Sequence, residues 1–241
     1  MTRKSSAAAL TWLVLAWSAA VHATEVVSVG RVDMQLPGEG WQSLAVPDQG
    51  NEFSGSGVTQ RQQTETRLLW RRAPDQTIDA LFIVRANYSG KGRFSGVSYA
   101  DARCEGPAGT FAEGDPPGPA ARSFRCLFVT PPGAVSALNP FFKRLLGQLE
   151  VQGGKLAPRV HLMVAKQYAN TGAFVDITAF VAPEALPTLS DNAELLPAGV
   201  SAASVQWGRL LQKGVTDSVY SVWGKLPVPD LSLAGAPAPS N

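Results

Sequence analysis

Two extended-type runs, Arg159–Ala169 and Ala173–Val181, are joined by Asn170-Thr171-Gly172, and no other part of the chain constrains the fold as strongly. Asn and Gly tolerate the left-handed backbone that a tight turn needs, so two adjacent antiparallel strands are predicted here. Pairing Ala169 with Ala173 sets Tyr168 opposite Phe174 and Lys166 opposite Asp176. Facing aromatic and opposite-charge pairs are what an antiparallel ladder favours, and a slip of one residue would break both.

The rest of the chain is read around that hairpin. Val26–Leu36 alternates apolar and polar residues with one slip near Gly30, and Pro37-Gly38-Glu39-Gly40 is turn chemistry before the extended run Trp41–Val46. Asp48–Gly57 reads as a loop, and Thr64–Arg72 with Ile78–Asn87 reads as a second hairpin around Pro74-Asp75. Ser89–Gly92 marks a further loop. Asn139 and Pro140 open a short helix with Phe141, Phe142, Leu145, Leu146 and Leu149 on one side, closed by Gly153-Gly154. A second helix is expected from about Ser201 to Tyr220, with Ala203, Trp207, Leu210, Leu211, Val215 and Val222 as its apolar stripe. The predicted fold class is therefore α+β: a single domain with a largely antiparallel β-sheet and two main helices packed on it.

Residues 1–23 have the three parts of an export signal. Arg3 and Lys4 precede the apolar run Ala7–Ala20, and Val21-His22-Ala23 supplies small residues for cleavage near Ala23. The run is short for a membrane span of about 20 residues, and no later run reaches that length. A periplasmic or secreted chain with no span in its mature part is expected. The precursor has 21 basic and 19 acidic residues, and the signal carries away two basic residues and no acid, so the mature chain is balanced. That balance argues against nucleic acid as a partner. The expected organisation is a signal peptide at 1–23, one α+β domain at 24–225 and a flexible Pro/Ala-rich tail at 226–241.

Cys104 and Cys126 are the only cysteines, and export would place them where disulfides form. A bridge between them closes a loop of about 23 residues, worth ~3 kcal/mol in the chain-entropy account. Between them lies a Gly- and Pro-rich stretch containing Asp115-Pro116-Pro117-Gly118-Pro119, which cannot hold a helix. Two strands, near Val97–Cys104 and Ser123–Val129, are expected to be stapled at the mouth of this loop.

The segment Val32-Asp33-Met34-Gln35-Leu36-Pro37-Gly38-Glu39-Gly40-Trp41 resembles the strand–Leu–Pro–turn–Trp opening of PsbP-like sandwich domains. The resemblance covers about ten residues and the coarse element order. It implies helices on both faces of an antiparallel sheet and an accessory or binding role, and it transfers no catalytic residue. The cysteine pair and its Pro-rich loop depart from that family's pattern.

Chemistry-bearing residues are sparse. Once the signal is gone, His161 is the single imidazole. An acyl-transfer triad would have to use it as its base, but its alternation neighbours Met163 and Ala165 make it a packed or half-exposed structural residue. One histidine with disulfide-bound sulfurs cannot supply the usual zinc sets. Gly55-Ser56-Gly57 lacks the first glycine of a nucleophile elbow, because Ser54 stands there. Asp191-Asn192-Ala193-Glu194 lacks the alternation of a calcium loop, and the glycines of Gly90–Gly96 miss the phosphate-loop spacings. Carboxylate-only hydrolysis needs two converging acids, for which Asp79, Asp101 and Asp176 are the candidates, with Lys166 a plain structural partner for Asp176. Arg61, Arg67 and Arg71 share strand parity and could form a basic stripe beside Trp41 or Tyr88 for an acidic partner or glycan, but with Glu65 on the same parity they read as a solvated edge or face. Asn87-Tyr88-Ser89 fits a glycosylation sequon, which would be silent in a chain of this bacterial style.

No catalytic, cofactor-binding or metal-binding residue is therefore assigned; the only paired site is the disulfide Cys104–Cys126. The expected function is that of an exported, non-catalytic accessory, binding or inhibitor/immunity-type module of the cell envelope, with a protein or envelope component as partner. The alternative is a small envelope hydrolase using a carboxylate pair.

Overall fold

The computed structural model describes residues 24–47, 51–55, 58–88, 102–116, 118, 121–133, 140–187 and 195–232. In chain order these form β1 (Thr24–Val29), β2 (Val32–Pro37), β3 (Gln42–Val46), β4 (Asn51–Gly55), β5 (Val58–Gln62), β6 (Thr64–Arg72) and β7 (Thr77–Asn87). Then come β8 (Phe111–Gly114), β9 (Ser123–Val129), helix α1 (Pro140–Val151), β10 (Lys155–Leu156), β11 (His161–Ala169) and β12 (Phe174–Val181). A single 3-10 turn, Pro183–Ala185, precedes α2 (Ala202–Tyr220) and β13 (Lys225–Pro227). The fold is α+β, one domain, with a mostly antiparallel sheet and two helices.

The main sheet runs β3-β6-β7-β12-β11-β9-β8, with the short β10 added parallel to β7. The β11–β12 hairpin has the register its sequence predicts: Tyr168 faces Phe174, with the rings stacked 5.2 Å apart, and Lys166 faces Asp176. β7 is central, and Ile78–Val84 is buried throughout, as a strand covered on both faces must be. Phe82 stacks between Trp41, at the entrance to β3, and Trp207 of α2. Those contacts tie the sheet, the helix and the chain's first turns into one core.

Helix α2 starts at Ser201, whose hydroxyl accepts from the Ser204 N–H. It packs against β9, β11 and β12. Its Gln212 carboxamide accepts from the Lys166 N–H and donates to the Lys166 carbonyl, docking the helix through polar as well as apolar contacts. A small sheet, β1-β2-β13, lies against α2 through β13. Leu145 and Leu149 of α1 join the same core.

Several expectations are corrected. The run Val26–Leu36 is a hairpin rather than one strand, turning at Gly30-Arg31. Part of the expected Asp48–Gly57 loop is β4, paired with β5. The α2 stripe holds in part: Trp207, Leu211 and Val215 are buried as expected, whereas Leu210 is exposed and Val222 lies beyond the helix and faces solvent. Between those apolar residues the buried face carries small ones, Ser204, Gly208, Gly214 and Ser218, which let the helix approach its neighbours closely.

Residues 226–232 are no flexible tail. β13 pairs with β2, Leu226, Val228 and Leu231 are buried, and the Ser232 N–H donates to the Ala185 carbonyl. Residues 233–241 and the signal segment 1–23 lie outside the described residues.

Candidate functional site

Cys104 and Cys126 are bridged, with their Cα atoms 5.1 Å apart. Cys126 belongs to β9, as expected, but Cys104 sits in irregular chain, and the enclosed segment contributes the edge strand β8. Gly114, on β8, lies against the bridge. A Cβ there would stand 2.7 Å from that of Cys104 and 2.6 Å from the Arg125 carbonyl oxygen, which is why the position is glycine.

The sequence-derived candidates do not converge on one centre. His161 is buried, and its Nδ1–H donates to the Thr130 carbonyl at 2.8 Å. Burial draws this imidazole below its ordinary value and Arg159 adds to that, against the opposing pull of the Thr130 carbonyl and Glu184. Asp176 is buried beside Lys166 at 3.4 Å and accepts from the Tyr168 hydroxyl. The Asn87 side chain is buried and accepts from the Phe174 N–H, so it is a structural group rather than a glycan acceptor. Ser56, Gly90–Gly96, Asp101 and Asp191–Glu194 lie outside the described residues, as does the side chain of Arg61. Among the described residues no group of three or more His, Cys, Asp or Glu could hold a metal ion, and no helix is long and apolar enough to cross a membrane.

Arg71 corrects the expected solvated arginine face. It is buried, and its Nε and Nη2 donate to the two Asp79 oxygens at 3.2 and 2.8 Å. Nη2 also reaches the Ser232 carbonyl, and the guanidinium lies 5.9 Å from the Trp41 ring centroid. Two grooves of about 380 and 500 Å3 flank this clamp, and Asp79 lines both. Their remaining acids include Asp75, which accepts from the Thr77 hydroxyl and N–H and is thereby held below the ordinary carboxylate range, and the exposed Glu184. A glycosidase-type general acid needs the opposite shift, upward. An apolar groove of about 480 Å3 runs between α2 and the Pro227–Asp230 segment, and two of its three charged lining residues, Lys213 and Asp217, pair with each other.

A different arrangement occupies the far end of β6. Glu65 accepts from the Gly30 N–H at 2.7 Å and from Arg67 Nε at 2.6 Å. Burial alone would raise this carboxyl, but the Gly30 N–H, Arg67 and Tyr88 together draw it below the ordinary range. The ionised Glu65 thus fixes the β1–β2 turn, and the Arg31 N–H donates to the Asn87 carbonyl beside it. From this turn the Arg31 side chain reaches the α2–β13 loop, where Nη2 donates to the Ser221 carbonyl at 3.0 Å. Gly224 closes the loop with φ of 61°, and a Cβ there would stand 2.1 Å from the Arg31 carbonyl oxygen.

Around this junction the protein exposes large side chains: Val222 at 92 %, Trp223 at 77 %, Tyr220 at 60 % and Tyr88 at 54 %. The Tyr220 hydroxyl accepts from the Gln167 side chain, which orients the ring at the helix end. Sequence reading missed this cluster because Val222 fits the α2 period and because Arg31 meets residue 221 only through the fold. The one local signal was a Trp-Gly pair directly after a helix. A comparison of the chain with protein-family models, curated proteins and solved structures finds no match.

Proposed function

We propose that this chain is an exported, non-catalytic binding module of the bacterial cell envelope, of accessory or inhibitor/immunity type, released by cleavage near Ala23. The observation that carries the reading is the exposed Tyr220–Val222–Trp223 cluster beside Arg31. Tyr, Trp and Arg are the residue types that dominate binding energy at protein interfaces, and clustered exposure of such side chains is not needed for folding. The Cys104–Cys126 bridge agrees with an oxidising compartment, and the PsbP-like opening segment agrees with an accessory role. A second reading, a carboxylate hydrolase, is favoured by three acids on one groove, Asp75, Asp79 and Glu184. Asp79 gives both oxygens to Arg71 and Asp75 is held ionised, so the binding reading is preferred.

The test uses the full chain expressed with its own residues 1–23 in a bacterium. The expected product is recovered by osmotic shock, begins at Thr24 by intact mass and takes up no thiol label before reduction. Cytoplasmic retention with two labelled thiols overturns the export reading. The purified product is then incubated with peptidoglycan and envelope polysaccharide. Release of reducing ends that Asp79→Asn abolishes would overturn the non-catalytic reading.

A further inference from the structure

Among the described residues Arg31 has no counter-ion. It is half-buried, and among those residues its guanidinium donates to the uncharged Ser221 carbonyl and pairs with no carboxylate. The acids around the junction bond elsewhere: Glu65 serves Gly30 and Arg67, Asp217 pairs with Lys213, and Asp33 keeps its charge but turns one oxygen to the Ser28 hydroxyl rather than to Arg31. Burial without compensation draws the Arg31 guanidinium below its ordinary value. Partial desolvation of this kind makes an arginine respond strongly to an incoming carboxylate, because part of the desolvation cost has already been met in the free protein.

We propose that the β1–β2 turn and the α2–β13 loop together dock an acidic segment of a partner protein, whose carboxylate pairs with Arg31 while apolar side chains pack on Val222 and Trp223. This rests on the binding-module reading and names the surface and the partner's chemistry. The residue set favours a protein over other occupants. A lipid surface is held by several basic residues at about 1 kcal/mol each, and Arg31 with the exposed Lys225 supplies too few. Nucleic acid likewise needs a basic stripe. An acidic protein segment needs one well-placed arginine flanked by aromatic anchors, which is what this junction offers. The loop is also pre-shaped: the Ser221 N–H donates to the Asp217 carbonyl, the Trp223 N–H donates to the Ser221 hydroxyl, and Gly224 is seated against Arg31. Little ordering cost then remains for binding.

The test places a photoreactive phenylalanine analogue at position 223 of the full chain, and in separate strains at Val151, an exposed apolar residue of α1, and at Gln42, on the groove beside Arg71. Irradiation in the native envelope should give one discrete adduct from position 223 that is destroyed by protease. Adding Arg31→Gln should lower its yield about tenfold, and Arg31→Glu should lower it at least as far, in proteins that keep a cooperative urea transition and the parent's yield of the Cys104–Cys126 bridge. The partner's cross-linked segment, identified by mass spectrometry, should contain an Asp or Glu whose change to Lys restores the adduct with Arg31→Glu.

A protease-resistant adduct, an adduct of twice the chain's own mass, or a yield indifferent to Arg31 overturns the proposal. An adduct from Gln42 alone overturns it while leaving the binding-module reading standing. Silence at all three positions overturns both.

Discussion

The Arg71 guanidinium holds Asp79 through two nitrogens and the Ser232 carbonyl through one, all within a site that leaves each side chain of the pair 6 % exposed. A pair so desolvated gains from mutual attraction roughly what burial costs it, but either partner left alone is an uncompensated buried charge. Arg71→Met should therefore lower unfolding free energy by about 3–5 kcal/mol, and Asp79→Leu added to it should return most of that loss. Urea midpoints of the two variants against the parent decide the point. A double variant no more stable than Arg71→Met alone would show that the Ser232 contact, rather than the charge balance, dominates. Strand parity placed Arg71 with solvated arginines because parity identifies a face of a strand. It does not reveal that Asp79, in the irregular stretch where the β6–β7 register shifts, arrives on that face.

Elements were legible where their determinants are local. The β11–β12 hairpin carries its turn, its aromatic pair and its ion pair within one short stretch, so pattern alone gave its register. Helix α2 was legible as a helix, and Trp207, Leu211 and Val215 of its stripe are buried; what periodicity did not reveal is that Gly208, Gly214 and Gln212 share the packed face while Leu210 does not. The strand β8 was hidden inside a Gly/Pro-rich stretch, since an edge strand of four residues is specified mainly by the neighbour it pairs with. That neighbour is β9, and the disulfide holds the enclosed loop against it. Reduction should cost about 3 kcal/mol of stability, measurable as a shift in urea midpoint with and without dithiothreitol. Gly114→Ala should cost about 1–3 kcal/mol in the oxidised protein through its contacts with the bridge and the Arg125 carbonyl. Its cost should shrink after reduction, when Cys104 can yield. An equal cost in both states would assign the clash to the Arg125 carbonyl alone.

At the scale of the molecule, the first and last described strands meet in one small sheet. β1 and β2 arrive first in the described chain and β13 last, yet β2 and β13 pair in parallel, and the residues after β13 continue to the Arg71 clamp. The Pro-rich composition of this final stretch suggested a tail, but Leu226, Val228 and Leu231 fill core positions between those prolines. Composition averages over a window, whereas burial is decided residue by residue. The α2–β13 loop that presents Trp223 is thereby held on both sides, by the helix before it and by the paired strand after it. Ending the chain after Gly224 removes three buried apolar side chains, each worth about 1.5–3 kcal/mol. Together with the lost Ser232 contact, that loss is comparable to the 5–15 kcal/mol that typically stabilises a domain. The shortened protein should show no cooperative urea transition by tryptophan fluorescence, whereas Trp223→Ala, which removes only an exposed side chain, should unfold as the parent does. A cooperative transition surviving the truncation would mean that the main sheet and α2 form an independent unit, and that the small sheet is an attachment whose role is to carry the Arg31–Trp223 surface.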